Sequence, residues 1–163
     1  MLAVAKRRRS RRTFDARHAK PGLAGGRRGP QFIQADALRL PSRDGSFDVL
    51  TIGYGLRNVA DIPAALSEMR RVLAPGGRAV VLDFGKPDRA LPAALYRAYL
   101  RTVMPAVGWL FHGDPQTYAY IPASLERYPA QRGVEALMHA AGFGNVRYEE
   151  RLLGTMGINM GEA

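Results

Sequence analysis

Asp44 to Val59 reads DGSFDVLTIGYGLRNV. Its apolar run, Phe47 to Tyr54, ends in a glycine-flanked polar tip, Gly53-Tyr54-Gly55-Leu56-Arg57-Asn58. A near-continuous apolar run followed at once by a helical pattern predicts a parallel strand covered on both faces. Open α/β sheets bind ligands beyond the carboxyl ends of such strands, which makes the polar groups of this tip candidate site residues. Downstream, Asp61 is a helix cap with Pro63 in the first turn. Ile62, Ala65, Leu66, Met69, Val72 and Leu73 then recur on one helical face until Pro75-Gly76-Gly77 ends the pattern. RAVVLDF, Arg78 to Phe84, is a second buried strand. Strand, helix, strand at this spacing predicts a right-handed βαβ unit.

Upstream, Met1 to Arg12 is a helix candidate without a cap signal, and Lys20 to Pro30, with Pro21 and its glycines, is a loop. QFIQA, Gln31 to Ala35, is a short strand ending at Asp36, and Arg43-Asp44-Gly45-Ser46 is turn chemistry. Beyond the βαβ unit, Leu91 to Phe111 is apolar with helical lengths, broken by Pro105 and Gly108. Gly113 to Pro129 is a short helical cap carrying Tyr118, Tyr120 and Tyr128. Gln131 to Ala141 is a helix with Val134, Leu137 and Met138 in register, stopped by Gly142. Asn145 to Leu153 and Gly154 to Asn159 are two closing strands, read as an antiparallel hairpin at the sheet edge. The organisation is one domain over 1–163, with a basic helix and loop at 1–29 and a helical insertion at 88–130.

At 163 residues with 47% apolar composition, the chain can bury one substantial core. The absence of cysteine excludes disulfides, thiol catalysis and cysteine-ligated metals and fits a reducing compartment. No apolar run reaches the roughly 18 residues of a spanning helix, and the N-terminal charge follows its short apolar segment, the wrong order for a secretory signal. The expectation is a cytoplasmic protein. The net charge of +10 is concentrated at the N-terminus, where residues 1–29 hold ten basic side chains and one acid. One reading is a solvated face plus a basic loop, in a chain that uses 21 Arg against 3 Lys. A sharper one is peripheral contact with anionic lipid headgroups on the inner face of a membrane. Nucleic acid is not expected, since Phe14 is the only aromatic among these charges. His18, His112 and His139 show no ligand spacing, so no metal is expected.

Four segments carry a family resemblance: DALRLPSRDGSFDVLTIGYGLRNV from Asp36, RRVLAPGGRAVVLDFGKP from Arg70, DPQTYAYIPASLERYP from Asp114 and AAGFGNVRYEERLLGTMGINMG from Ala140. Together the chain resembles the ubiquinone/menaquinone biosynthesis C-methyltransferases, which use S-adenosylmethionine (SAM) to methylate a ring carbon of a polyprenyl quinol. GLRNV and the YxYxxxS segment are its specific motifs, whereas VLAPGG is common to many SAM methyltransferases. The resemblance implies an α/β fold: a Rossmann-like class I SAM-methyltransferase sheet with helices on both faces and an antiparallel C-terminal hairpin. It also exposes a departure. MLAVAKRR looks like the helix after the family's second strand, and no GxGxG precedes Asp36, so the first two strands and the glycine-rich SAM loop are missing. This reads as a late start site or a shortened copy, with weak SAM binding by the 163-residue chain and open, aggregation-prone strand edges.

Carried over residue by residue, Asp36 and Ala37 match the adenine position, with a cap or turn residue as the plainer alternative for Asp36. Gly53 stands where several members have a serine near the cofactor. Arg57 and Asn58 match the catalytic tip, and their plainer reading is an ion pair or a helix cap. Arginine is effectively always protonated, so Arg57 is expected to stabilise a developing phenolate and polarise a water rather than act as the base. Tyr54, Tyr118, Tyr120 and Ser124 would line the quinol ring under a substrate cap formed by 88–130, and otherwise read as packing residues. Trp109, Phe111 and the Leu91 to Leu110 helices would form an apolar wall for the isoprenoid tail. Asn159 replaces a histidine common in the family. The resemblance leaves open a benzoquinol or naphthoquinol substrate, with the naphthoquinol preferred, and a homodimer. The competing readings are an inactive fragment that binds a partner or membrane and a SAM methyltransferase of another small molecule.

Overall fold

The computed structural model describes residues 3–7, 32–112 and 120–163. Five strands form one mixed sheet in the order β1-β2-β3-β5-β4. At its centre β2 (Phe47–Gly53) runs parallel to β3 (Leu73–Phe84), joined by α1 (Ile62–Val72), as the βαβ reading requires. Asp61 caps α1 by accepting from the Ala64 amide at 2.9 Å, with Pro63 in the first turn. The breaker 74–77 lies at the foot of β3: Phe47 pairs with Leu73 and Val49 with Arg78, so the intervening residues leave the ladder. Gly76 has φ +75°, a left-handed backbone that glycine adopts at no steric cost.

The C-terminal hairpin forms as expected. β4 (Gly144–Arg151) and β5 (Met156–Glu162) are antiparallel, and β5 returns antiparallel along β3. α4 (Ala130–Ala140) precedes them. Ala79, Val81 and Asp83 of β3 register with Gly161, Asn159 and Gly157 of β5. A Cβ at Gly157 would stand 2.8 Å from Gln131 Cβ, and one at Gly161 2.9 Å from Met138 Cε, so the β5 glycines let α4 lie directly on this face. Leu66 and Val72 of α1 and Val134 and Met138 of α4 meet Leu50, Ile52 and Val81 in one buried cluster. Truncating such a side chain as Leu66 to alanine costs about 2–5 kcal/mol.

Three expectations are corrected. Ala3–Arg7 is not helical but forms β1, antiparallel to β2, with Ala3 opposite Ile52 and Ala5 opposite Leu50. A short uncapped helix has little intrinsic stability, whereas β2 presents a row of backbone groups that a paired strand satisfies. The edge of β2 expected to stand open is therefore filled by the chain itself. The remainder of the basic segment, 8–29, lies outside the described residues. Second, the strand expected at Gln31 to Ala35 does not form over residues 32–35, where Phe32 is 80% and Ile33 54% exposed. Among the described residues no strand pairs with this segment. Third, α2 (Ala90–His112) runs unbroken through Pro105. Proline removes one intrahelical hydrogen bond, and the remaining length of the helix tolerates that loss. α3 (Tyr120–Arg127) follows, and Tyr118 lies outside the described residues.

Candidate functional site

The polar tip is a turn built across two strand ends. β2 continues its ladder for one residue, the Tyr54 amide donating to the Leu82 carbonyl at 2.8 Å, and then breaks sharply. Tyr54 has φ +52°, a left-handed conformation uncommon outside glycine and asparagine. A single 3₁₀ turn, Leu56–Asn58, follows. Leu56 is fully buried and anchors it, which turns Arg57 inward.

Arg57 is held by Asp83, one residue before the end of β3. Its Nη1 lies 2.8 Å from Asp83 Oδ1, and its backbone amide donates to Oδ2 at 3.2 Å. The two side chains are 4% and 1% exposed, so this is a buried ion pair. Nη1 also donates to the Tyr54 carbonyl at 2.9 Å, and the guanidinium carbon sits 4.7 Å from the centroid of the Phe84 ring. Tyr54 packs edge-on against the same ring at 5.2 Å and points its hydroxyl at Met156 Sδ. Arg57 is thus fixed on several sides, and its Nε is buried with no partner.

α2, α3 and the loop after β3 line a half-open cleft of about 330 Å³. Its floor is Gly85, Lys86 and Pro87, and its walls include Tyr96, Leu100 and Leu125. Gln131 locks the floor: its Oε1 accepts from the Lys86 amide at 3.0 Å and its Nε2 donates to the Lys86 carbonyl at 3.0 Å. Lys86 Nζ donates to the Tyr128 carbonyl at 2.7 Å. A Cβ at Gly85 would come 2.3 Å from the Gly154 carbonyl oxygen, so only glycine fits there. Tyr96 reaches from the cavity toward the tip and experiences the charges of Arg57 and Asp83. Burial pushes its ionisation up to about 12, with Arg57 opposing, so at neutral pH it is a neutral phenol.

The family profile described as ubiE/COQ5 methyltransferase matches residues 19–162. The chain belongs to that family. It is 43% identical over 162 residues to a demethylmenaquinone methyltransferase of Thermus thermophilus, covering 99% of this chain and 67% of the relative. A ubiquinone/menaquinone biosynthesis C-methyltransferase of Azotobacter vinelandii is 43% identical over 140 residues, covering 86% of this chain and 54% of the relative. A demethylmenaquinone methyltransferase of Beutenbergia cavernae is 44% identical, covering 98% of this chain and 59% of its own. The chain therefore spans about half to two thirds of the length of these ubiE/COQ5 relatives. In fold it is similar to SAM-dependent methyltransferases of Thermotoga maritima (TM-score 0.53, 20% identity, covering 80% of this chain and 62% of that one) and Methanosarcina mazei (0.51, 21%, 88% and 72%). These likenesses make the sheet a class I methyltransferase sheet.

Of the residues the family pattern singled out, Gly53, Tyr54, Arg57 and Asn58 stand together at the tip, and Asp36, Ala37, Tyr120 and Ser124 lie on other segments. Asn58 is exposed, and its Nδ2 is 3.5 Å from the Tyr54 carbonyl, at the limit of a hydrogen bond. Ser124 spends its hydroxyl on the Ile121 carbonyl at 2.8 Å, inside α3. Tyr120 is the first residue of α3. Trp109 is 66% exposed on α2. Asp36 is exposed and its Oδ1 accepts from the Leu38 amide at 2.9 Å, the turn role that the sequence offered as its alternative. Ala37 beside it is half-buried, and Gly53 is exposed at the end of β2. Asn159 is buried on the α4 face, donating to the Gln131 carbonyl at 2.7 Å. It supports the cavity floor from below.

Asp83, Tyr96 and Gln131 escaped the sequence reading. Asp83 left a signal: a lone carboxylate inside an apolar strand has to find a buried cation or donors. Tyr96 and Gln131 left none, because their placement depends on how α2 and α4 dock.

Proposed function

We propose that the protein provides the catalytic sheet end and quinol-side pocket of a SAM-dependent C-methyltransferase acting on a polyprenyl quinol, with demethylmenaquinol the preferred substrate. The observation that carries this reading is the buried Arg57–Asp83 pair at the ends of β2 and β3, beside the cavity under α2 and α3. The names of the relatives support the reaction, and a cleft of about 330 Å³ behind the strand end that holds the fixed guanidinium supports the substrate class.

The methyl donor has a compatible approach. Nothing lies within 4 Å of where a Gly53 Cβ would stand, so the backbone at this strand end is open to a ligand. The exposed Asp36 carboxylate, with one oxygen engaged in its own turn, and the small Ala37 are compatible with the adenine side. S-adenosylmethionine, when bound, supplies a methyl group on a cationic sulfur. The chain's part is to make the ring carbon nucleophilic. As the quinol hydroxyl gives its proton to water, negative charge grows on that oxygen, and Arg57 is the fixed cation to meet it. The ring carbon then takes the methyl and releases its own hydrogen as a proton. Asp83 keeps Arg57 from reorganising, which is where prepositioned charge gains over solvent. Asn58, exposed at the rim, orients water, and Tyr54 edges the ring.

The isoprenoid tail leaves along α2, within the cap formed by 88–130. Leu91, Leu95, Tyr99, Val103, Trp109 and Leu110 are 42–71% exposed there and form an apolar wall. Among the described residues no helix is long and apolar enough to cross a membrane. The N-terminal basic residues add attraction to an anionic bilayer in which such a substrate resides. The experiment is methyl transfer from labelled SAM to demethylmenaquinol by the protein carrying the upstream portion its relatives have. Labelled menaquinol is expected, and no transfer would remove the proposal.

A further inference from the structure

Two apolar surfaces stand at the site end of the sheet, and the fold buries neither. The first is the outer stripe of α2, where Leu91, Leu95, Tyr99 and Val103 recur every fourth residue and are all exposed. Trp109, also exposed, lies farther along the same helix. The second is the tip of the β4–β5 hairpin, where Leu152 and Leu153 are 70% and 80% exposed. Both leucines hold a left-handed backbone, φ +50° and +57°, an outlier for so bulky a residue. Strain of this kind persists only where the surrounding structure imposes it, and it gathers at functional segments. Here it holds two leucines out in water.

The two surfaces meet at the loop after β3. The Gly85 amide donates to the Thr155 carbonyl at 2.9 Å, and a Cβ at Gly154 would stand 3.0 Å from Pro87 Cα. α2 begins at Ala90, just beyond Pro87, so the hairpin tip and the first turn of α2 flank the loop that floors the cleft. Apolar surface left exposed in this way marks contact with a protein or a membrane. The charges choose between them. From Arg89 to His112 the chain has three arginines and no carboxylate. None of the three pairs with an acid among the described residues. Arg97 and Arg101 join Lys86 in lining the cleft, against the single acid Glu126. Exposed leucines, an interfacial tryptophan and unpaired cations fit an anionic lipid surface, whose headgroups meet the cations and whose acyl boundary takes the apolar side chains. The upstream portion of the relatives is a poorer fit, because it joins the chain ahead of β1, at the opposite edge of the sheet from β4.

We propose that this end of the molecule docks on an anionic bilayer through the outer stripe of α2 and the Leu152–Leu153 tip. An isoprenoid tail leaving the cleft along α2 then passes directly into the lipid. The choice of a bilayer rests in part on the quinol reading, but docking itself needs neither quinol nor SAM. The surface is distinct from the basic residues 1–29, which act through charge alone.

Trp109 is the only tryptophan of the chain and lies on α2, so its emission reports docking. The probes are vesicles of equimolar phosphatidylglycerol and phosphatidylcholine, and vesicles of phosphatidylcholine alone, titrated into the purified 163-residue chain. A blue shift on the anionic vesicles, with quenching by lipids brominated on their acyl chains, is expected. Leu152→Ser combined with Leu153→Ser is expected to weaken this binding roughly tenfold and to leave urea unfolding unchanged, since both side chains are exposed. Vesicle binding with no change in Trp109 emission would give the contact to the basic N-terminus alone and would overturn the proposal. So would a shift indifferent to the leucines, or equal binding to phosphatidylcholine alone. A lipid-independent shift that grows with protein concentration would assign the face to a second copy and overturn it as well. In the protein carrying the upstream portion, vesicle sedimentation that ignores the leucines would assign the face to that portion instead. Docking without methyl transfer to demethylmenaquinol would keep the surface and remove the quinol reading, and transfer without docking would do the reverse.

Discussion

Arg57 and Asp36 were both expected to serve one site, and the fold treats them in opposite ways. Arg57 is buried, doubly tied to Asp83 and stacked on Phe84. Asp36 stands in solvent and holds only the turn that follows it. The difference lies in what each segment is attached to. The tip after β2 is flanked by β3, whose last residues bring Asp83 and Phe84 to it through a parallel ladder. Residues 32–35 lead into Asp36 paired with no strand among the described residues. Site residues become fixed when neighbouring strands deliver their partners, and the same residue types remain surface groups when none does.

Asp83→Ala leaves Arg57 as an unpaired buried cation, and a loss of about 3–5 kcal/mol in urea unfolding is expected. A loss under 1 kcal/mol would show that the pair is solvated and the tip not rigid. Gly85→Ala forces a methyl against the Gly154 carbonyl and is expected to cost about 1–3 kcal/mol by the same measurement. Its wild-type-like stability would show that the cavity floor gives way. Asp36→Ala removes an exposed turn contact, and a change within about 0.5 kcal/mol is expected; a much larger loss would place Asp36 in a structural network. The 163-residue chain by itself is expected to give no calorimetric signal with SAM, and a micromolar dissociation constant would show that the Asp36 side is already formed.

A pH dependence bears on the Asp36 side as well. Glu68 accepts from the Leu40 amide at 2.7 Å and pairs with Arg71, tying the segment after Asp36 to α1. The bond to Arg71 holds the Glu68 carboxyl below its ordinary value of 4.5. A depressed folded value means that the stabilisation is fully present above about pH 4.5 and fades as pH falls through the folded value. The Leu40 amide resonance should therefore move below pH 4.5 in an NMR titration and stay still in Glu68→Gln. A Leu40 resonance unchanged to pH 3 in the native protein would contradict the tie.

What the sequence disclosed follows the same division. Phe47 to Tyr54, the Asp61 cap and the 74–77 breaker are local signals, and each lies where the pattern put it. Asp83 was legible in principle, since a carboxylate among Val81, Leu82 and Phe84 has no cheap place without a cation. β1 was not legible, because Ala3–Arg7 becomes a strand only when the edge of β2 is available to it. Tyr96 was not legible either, for nothing in the apolar pattern of α2 says which of its tyrosines turns toward the tip. The turn contact at Asp36 was legible as the alternative for that residue, and its Oδ1 makes it to the Leu38 amide.

The account depends most on Arg57 being a fixed guanidinium that meets charge on a ring oxygen. In the protein carrying its relatives' upstream portion, Arg57→Lys preserves a cation for Asp83 but removes Nε. The measurement is the kcat for methyl transfer into demethylmenaquinol, with folding checked in parallel. A fall of about 10²-fold or more with unchanged stability is predicted, the size of losing one oxyanion donor. A variant that folds and transfers methyl at the native rate would contradict it.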